Sequence, residues 1–524
     1  MFKSFAMIGR LMRAGRVLGS YGVLPPPEWN DELAPPQAKL LKYIFPKSKA
    51  ESQGRSGERL ARALTKLGPS YIKMGQFIAT RPDVIGPAIA RDLSELQDRL
   101  PPFPADQARQ ILTEELGENV ARLGDIGEAV AAASIAQVHK VELRTKEGEP
   151  KQFRAIKVLR PGIERDFARE LEAFAWAARQ AEYFGGEEAR RMKPAAGVDT
   201  LARSVVIEMD LRLEAAAAAE FAGNIKTDAG FRVPEVDWDF TTRRVLATEW
   251  IDATPLKDID TLRAKGHDLK RIATNVIQSF LRHALRDGFF HADMHPGNLF
   301  VDAKGNLVAV DFGIMGRLDP LSRRFMAETL AGFLARDYRR VADIHLAVGF
   351  VPPRHSVEDF AQALRAIGEP IFGRPASTMS MARLLTQLFE VTRLFDMEMQ
   401  PQLAMLQKTM VVVEGVARQL DPQHSIWESA KPIVEQWMIE SVGPQARLNQ
   451  AAEGMNSLGR ALTALPEVLK NAEQIAAMLS TNGLRLHPDS TRAIADAQTQ
   501  QTAHARIAIW IGALALAALA IAQF

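Results

Sequence analysis

The chain has 524 residues, 65 Lys+Arg against 63 Asp+Glu for a formal net charge of +2, and 47% hydrophobic residues. That length exceeds one ordinary domain, the composition is globular with ample core, and the balanced charge excludes bulk electrostatic attraction to nucleic acid. Cysteine is absent, which excludes disulfides, thiolate catalysis and zinc–thiolate sites.

No acidic residue precedes Glu28; Lys3, Arg10, Arg13 and Arg16 are spaced among Phe2, Phe5, Met7, Ile8, Leu11, Met12, Val17 and Leu18. Arginine interrupts the apolar run too often for a secretory core, leaving a basic amphipathic helix that either lies on a membrane surface or packs on the body. Residues 28–53 read as a Pro- and Lys-rich linker with one short helix. A helix is predicted over 60–67, ended by Gly68-Pro69, and another over 70–78 that stops near Pro82. Lys73 and Gln76 share a face of the second. Gly75 between them costs ~1 kcal/mol against alanine, so something approaches closely there. Further helices are predicted over 88–99 and 105–116.

The pattern over 130–143 changes to strand and turn. Ala131, Ala132, Ala133, Ser134, Ile135, Ala136 and Val138 occupy the place of a glycine-rich nucleotide loop (Gly-x-Gly-x-x-Gly-x-Val), with alanine at 131, 133 and 136. Small residues let backbone approach phosphates, but alanine resists positive φ, so this loop is expected to be stiffer than a glycine loop. Residues 153–159 read as the next strand, with Lys157 in a Val-Ala-Ile-Lys-like setting. Such a lysine is costly to bury without an anionic partner, and needs none on the solvent face of an edge strand. In the stretch 208–215, Asp210 and Glu214 share a helix face at i,i+4, and Glu208 is spaced to pair with Arg212. Glu214 is the preferred partner of Lys157, with Glu208 the fallback. Residues 245–252 read as a last strand entering a hinge, whose backbone at Glu249 and Ile251 would hold an adenine edge.

A helix is expected over 272–286, leading to His291-Ala292-Asp293-Met294-His295-Pro296-Gly297-Asn298 and then Asp311-Phe312-Gly313. Aspartate, asparagine and a second aspartate in this order form a phosphoryl-transfer constellation. Asp293 would meet the incoming hydroxyl or water, while Asn298 and Asp311 would offer Mg²⁺ the oxygen ligands a hard cation requires. Leu299-Phe300-Val301, a turn at Lys304-Gly305-Asn306, and Leu307-Val308-Ala309-Val310 predict a hairpin with Asn298 and Asp311 at its open end. His291 and His295 are spaced for metal ligation, but Pro296-Gly297 breaks any helix there and no third ligand is evident. His291 is expected instead to order the loop through hydrogen bonds. Residues 320–484 are helical in period, with breaks at Pro352-Pro353, Pro401, Asp421-Pro422 and Gly443-Pro444. The segment 507–524 is apolar apart from Gln523; about 18 residues at ~1.5 Å span roughly 27 Å, close to a hydrocarbon core. A tail anchor is favoured over a buried helix. Arg492, His504 and Arg506 on its N-terminal side place the body in the cytoplasm.

Together these pieces resemble the UbiB/ADCK family of atypical, protein-kinase-like ATPases tied to ubiquinone (coenzyme Q) biosynthesis. The family-specific marks are Lys73-Met74-Gly75-Gln76 (KxGQ), the alanine loop 131–136, Glu208-Met209-Asp210 (ExD) and the 291–298 stretch. The match runs from about residue 60 to 317 and less distinctly to Asp421-Pro422. It implies an α+β, bilobal kinase-like fold with an added N-terminal helical region and a C-terminal transmembrane helix. Its divisions would be a basic segment and linker (1–55), the KxGQ region (56–125), an N-lobe interrupted by helices (126–252), a helical C-lobe (253–485), a spacer (486–505) and the anchor (506–524). By the same resemblance ATP and Mg²⁺ are the cofactors. Lys157 would contact the α/β-phosphates and pair with Glu214, Asp293 would occupy the catalytic-base position, and Asn298 and Asp311 would bind Mg²⁺. Lys73 and Gln76 would meet Glu208 and Asp210 across the active site as regulatory residues, occluding a protein-substrate dock.

The implied partners are polyprenyl-phenol precursors of ubiquinone, membrane lipid and other proteins of that pathway, with a homodimer admitted and no nucleic acid. The location implied is the inner (cytoplasmic) membrane. Family members commonly carry C-terminal membrane segments; one is found here where some bacterial relatives have two. The competing readings are a true protein kinase, a polyprenyl-phenol hydroxylase, and a nucleotide-binding pseudokinase scaffold. The hydroxylase is disfavoured because there is no dinucleotide fingerprint and no cysteine ligand set.

Overall fold

A computed structural model of the protein describes residues 2–23, 48, 53–79, 85–94, 96, 100–144, 146, 148–184, 193–372, 387, 391, 394–397 and 401–442. Residues 1–438 form one unit; residues 439–524 form a second, of which only 439–442 are described. The spacer 486–505 and the expected anchor 507–524 therefore lie outside the described residues. Among the described residues no helix is long and apolar enough to cross a membrane.

Helix α1 (Phe2–Ser20) packs on the body: Ala14 is buried and Arg10 donates to the carbonyl of Arg169, while Met12, Arg13 and Arg16 face solvent. Helices α2 (Ser56–Leu67) and α3 (Pro69–Ala79) are separated by Gly68, whose φ of 107° is the left-handed turn that glycine permits. Helix α4 (Pro87–Ser94) covers the first part of the expected 88–99, of which 95 and 97–99 lie outside the described residues, and α5 (Ala105–Leu116) matches its expectation. The close approach expected at Gly75 is real. A Cβ there would lie 2.6 Å from Leu64 and 3.0 Å from Leu96.

Strands β1 (Ala129–Ala132), β2 (Ala136–Glu142) and β3 (Phe153–Leu159) follow. Helices α6 (Ile163–Phe184), α7 (Pro194–Glu208) and α8 (Leu211–Asn224) come next, then short strand β4 (Phe231–Arg232) and β5 (Val245–Glu249). An antiparallel sheet runs in the order β1-β2-β3-β5. Side chains alternate along a strand, so Ile156 and Val158 join Val245, Ala247 and the α5 residues Ile111 and Leu112 in one core. Leu159 and Leu246 face the other way, into a core shared with α2, α3 and α6–α8. Lys157 stands on that second face, between Val138 of β2 and Leu246 of β5. It lies on an inner strand, not on an edge.

The second lobe has β6 (Ala253–Pro255), α9 (Leu269–Arg282), β7 (Phe289–His291), β8 (Leu299–Asp302), β9 (Leu307–Ala309) and β10 (Met315–Arg317). After them come α10 (Pro320–Leu334), α11 (Tyr338–Ala347), α12 (Val357–Phe372), α13 (Pro401–Leu420) and α14 (Ile426–Val442). One sheet has the order β4-β9-β8-β6, and β10 pairs with β7. The helix expected over 272–286 is α9 continued by a π turn at His283–Asp287, which Gly288 ends at φ 63°. The expected hairpin forms as read, with Leu299 opposite Ala309. Asp302 builds its turn by accepting from the amides of Lys304 and Asn306, both at 2.9 Å.

Helix α8 ties the lobes together. Ala215, near its start, belongs to the first lobe's core, while Phe221 lies in the second's. Phe221 is fully buried and meets Phe231, His283 and Phe289 edge-on and Phe312 at a tilt, with centroids 4.8–6.2 Å apart. Phe221→Ala is expected to cost about 3–5 kcal/mol, seen as a lower denaturant midpoint at unchanged m-value. A loss under about 1 kcal/mol, within the reach of many surface changes, would show that the lobes are not joined there.

Candidate active site

Strand β3 delivers Lys157 to Glu214 in the first turn of α8. Lys157 Nζ lies 2.8 and 2.9 Å from Oε1 and Oε2 of Glu214 and 3.3 Å from Oδ1 of Asp311. The lysine and glutamate side chains are only 15% and 9% exposed, while that of Asp311 is 46% exposed. One ammonium is thus shared by two carboxylates. Burial alone would depress Lys157, but Asp311 and Glu214 raise it above the usual lysine value, so it stays charged. Burial, aided by the Asp311 charge, raises Glu214 to about 7 against the pull of Lys157. Burial would raise Asp311 as well; Lys157 and the Gly313 amide reverse this and hold it down at about 2. Asp311 also adopts a left-handed backbone, φ 64°, which costs a residue with a Cβ on the order of 1–3 kcal/mol. Phe312, 5% exposed, anchors that conformation against Phe221 and the His291 ring.

The segment 291–298 is tied to its own backbone. Asp293 N–H donates to Nδ1 of His291 at 3.1 Å, and His291 Nε2 is 3.3 Å from the Val310 carbonyl. An acceptor at Nδ1 and a donor at Nε2 assign the neutral tautomer, and burial pushes the ring pKa down. Both ring nitrogens are spent on backbone, as expected of a residue that orders the loop. His295 Nδ1 accepts from the Gly297 amide at 2.9 Å, which turns its Nε2 to 3.5 Å from Asp293 Oδ2. Asn298 Nδ2 reaches the carbonyl and Oδ2 of Asp293 at 3.1 and 3.3 Å.

The residues of the site fit a hard cation. The Asn298 Nδ2 is spent on Asp293, which leaves its Oδ1 as the oxygen it could offer, and Val310 N–H donates to the Asn298 carbonyl at 2.9 Å. That pairing keeps Asn298 and the half-exposed Asp311 carboxylate at the same end of the hairpin, an oxygen pair suited to Mg²⁺. Among the described residues no group of three or more His, Cys, Asp or Glu could hold a metal ion by itself. Such a cation would complete its shell with phosphate oxygens and water.

The alanine loop closes between β1 and β2, Ala133 N–H donating to the Ala136 carbonyl at 2.8 Å. Arg160, which the sequence reading missed, holds it from behind: Nε and Nη2 donate to the Ala133 carbonyl at 3.1 and 2.9 Å, and Nη2 to Pro101 at 3.0 Å. Its only signal is its place directly after the lysine strand, before Pro161-Gly162. Ala131, Ala132, Ser134, Ile135 and Val138 lie on the same hairpin, with Ser134 fully buried. At the hinge, both carboxylate oxygens of Glu249 accept from Arg232 at 2.6 and 2.7 Å. That side chain is committed, and so are the neighbouring amides: Glu249 N–H donates to the Glu235 carbonyl at 2.8 Å and Trp250 N–H to the Phe153 carbonyl at 3.1 Å. A depression of ≈ 320 Å³ borders Glu249, Ile251 and the hairpin turn at Asp302 and Asn306. It lies at the closed end of the hairpin, away from Asn298 and Asp311.

Lys73 Nζ lies 2.6 Å from Oε2 of Glu208, with both side chains largely buried. The helix pairings expected around Glu208 are corrected, because no single helix spans 208–214. Helix α7 ends at Glu208, and α8 begins after Asp210, which caps it by accepting from the Arg212 amide at 3.2 Å. Arg212 therefore pairs with Asp210, at 2.8 and 2.6 Å, rather than with Glu208. Asp210 stands outside the helix face that carries Glu214. Gln76 is half-buried on α3 beside Lys73.

The Glu214 shift sets a pH dependence. Its folded-state value of about 7 lies above the ordinary 4.5, so the folded state takes up the extra proton between those limits. The stability it contributes is full below about 4.5 and is lost as pH rises through about 7. Relative to Glu214→Gln, wild type should therefore lose Tm as pH rises from about 5 to about 8. A Tm difference independent of pH would show that Glu214 does not titrate there.

Residues 95–345 match the ABC1 atypical kinase-like domain, and residues 364–425 match the UbiB helical domain. The chain is 38% identical over 436 residues to the probable protein kinase UbiB of Marinobacter nauticus, covering 82% of this chain and 78% of that relative. It is also similar in fold to the Rv3197 protein of Mycobacterium tuberculosis, solved in complex with erythromycin. The TM-score is 0.50 at 23% identity, over 75% of this chain and 96% of that one. The domain order, the shared ammonium of Lys157 and the extent of the identity have one reading: the chain belongs to the ABC1/UbiB family of atypical kinase-like proteins.

Proposed function

We propose that the protein binds Mg-ATP and transfers or hydrolyses its terminal phosphate in support of ubiquinone assembly. The observation that carries this is the contact of Lys157 with both Glu214 and Asp311, where Asp311 follows Val310, whose amide is bonded to the Asn298 of the Asp293–Asn298 pair. Lys157 would orient the α/β-phosphates, held upright by Glu214. Asn298 and Asp311 would hold Mg²⁺, which supplies neutralisation of phosphate charge. Asp293, its carboxylate steadied by Asn298, would accept the proton of the attacking hydroxyl or water. The Lys73–Glu208 contact supports a regulatory role for α3, which meets the chain just before α8.

The family resemblance extends this reading to polyprenyl-phenol intermediates as the molecules extracted, presented or modified. The segment 507–524 would anchor the body to the cytoplasmic face of the inner membrane. A protein kinase acting in trans is the second reading; the relative's name favours it, and labelled phosphate on a partner protein would distinguish it.

Purified Asp311→Asn should stay folded and lose Mg-dependent ATP turnover by about 10²-fold or more. Undiminished turnover would sink the site assignment. In cells, deletion of the gene should deplete ubiquinone and accumulate polyprenyl-phenols, rescued by wild type and not by Asp293→Asn; unchanged lipid extracts would separate the protein from that pathway.

A further inference from the structure

The peptide joining Ala292 to Asp293 is held on both sides by side chains, one from the adjoining residue and one from a helix distant in sequence. Its N–H donates to His291 Nδ1 at 3.1 Å. Its carbonyl accepts from Thr409 Oγ1 at 3.0 Å, across 117 residues of sequence. Thr409 is 1% exposed and sits on α13, within the helical domain that follows the kinase-like one. On the other side of residue 292, the Ala292 amide donates to the Ile314 carbonyl at 3.1 Å. Ala292 and Met294 are buried in the cluster that holds Leu406, Val413 and Val416 of α13, while Asp293 between them is 35% exposed.

A peptide group is planar. Fixing its carbonyl and its N–H fixes the plane, and with it the N–Cα bond of Asp293 about which its side chain is hung. His291 alone leaves the plane free to rock about one hydrogen bond; Thr409 supplies the second point. The Thr409 hydroxyl also lies 2.9 Å from the Met405 carbonyl, one turn back on α13. That oxygen already has its helical N–H, so the proton has a better use on Ala292, whose carbonyl is buried and costly to leave unpaired. The hydroxyl carries no charge and its donors and acceptors are all protein groups. Its reach onto the loop bearing Asp293 is what a well-packed helix interior would not by itself require.

We propose that Thr409 is a positioning residue for Asp293, through which the helical domain sets the catalytic loop. The proposal rests on Asp293 acting as the base in the reaction above. It assigns the helical domain a share in turnover that its distance in sequence from the kinase motifs would not suggest.

The test compares Thr409→Val, which keeps the shape and removes the hydroxyl, with Thr409→Ser, which keeps the hydroxyl, in the full-length protein. Two readouts are taken: Mg-dependent ATP turnover, and backbone amide exchange of the segment 290–298, with the 129–159 strands as an internal control of folding. The Val variant should lower kcat about tenfold or more, since displacing a catalytic group by an ångström costs up to about 10²-fold. KM for ATP should change less than about twofold, because that mutation leaves the ground-state contacts in place. Exchange at 290–298 should speed up while the control strands stay protected, and Ser should restore both. Wild-type kcat and exchange in the Val variant, or equal losses in Val and Ser, would overturn the proposal. If wild type itself shows no turnover, the functional reading fails while amide exchange still decides whether Thr409 holds the loop.

Discussion

One ammonium facing two carboxylates is the constraint on which the rest of the site depends. Lys157 reaches Glu214 only if β3 sits inside its sheet and α8 packs against the sheet's second face. It reaches Asp311 only if the second lobe closes on the first. Helix α8 meets both conditions, because its start is buried with the first lobe and Phe221 with the second. Phe312 then packs between Phe221 and His291, and His291 in turn holds the Asp293 amide. A displacement anywhere along that line moves a carboxylate relative to the lysine. The left-handed Asp311 fits this account: its strain persists only where neighbours over-determine it, and such strain gathers at functional sites.

Much of this was legible in sequence because the signals are local. The hairpin from Leu299 to Val310 could be read from alternation and a Gly-Asn turn, and it formed in that register. The lysine strand and the loop-ordering role of His291 were legible for the same reason; Glu214, 57 residues from Lys157, was legible because a buried ammonium demands a carboxylate. What failed was the assumption of one continuous helix through 208–214. Asp210 competes with helical backbone by offering its carboxylate as a cap, so the chain restarts there and every i,i+4 pairing across the break is lost. Arg160 and Thr409 were invisible for a different reason. Each acts by reaching a carbonyl distant in sequence, and no periodicity encodes a backbone acceptor 27 or 117 residues away.

The alanine loop gains a physical meaning from those contacts. A glycine-rich loop serves nucleotide binding by leaving its amides free and its φ angles permissive, so that the backbone can fold over phosphate. Here the Ala133 amide is spent on Ala136, and the Ala133 carbonyl on the Arg160 guanidinium. Alanine suits that role, since a loop fixed by its own hydrogen bonds has no need of positive φ. Anionic charge entering beneath such a loop would find fewer backbone donors and depend more on Lys157 and on a cation held by Asn298 and Asp311. The arithmetic of the cluster points the same way. Lys157, Glu214 and Asp311 sum to one net negative charge when all are ionised, and Glu214 escapes part of that repulsion by holding its proton up to about 7. A divalent cation beside Asp311 would remove the excess and allow both acids to stay ionised. Metal, nucleotide phosphate and lysine would then assemble as a unit, with the stiff loop setting the space in which they do so.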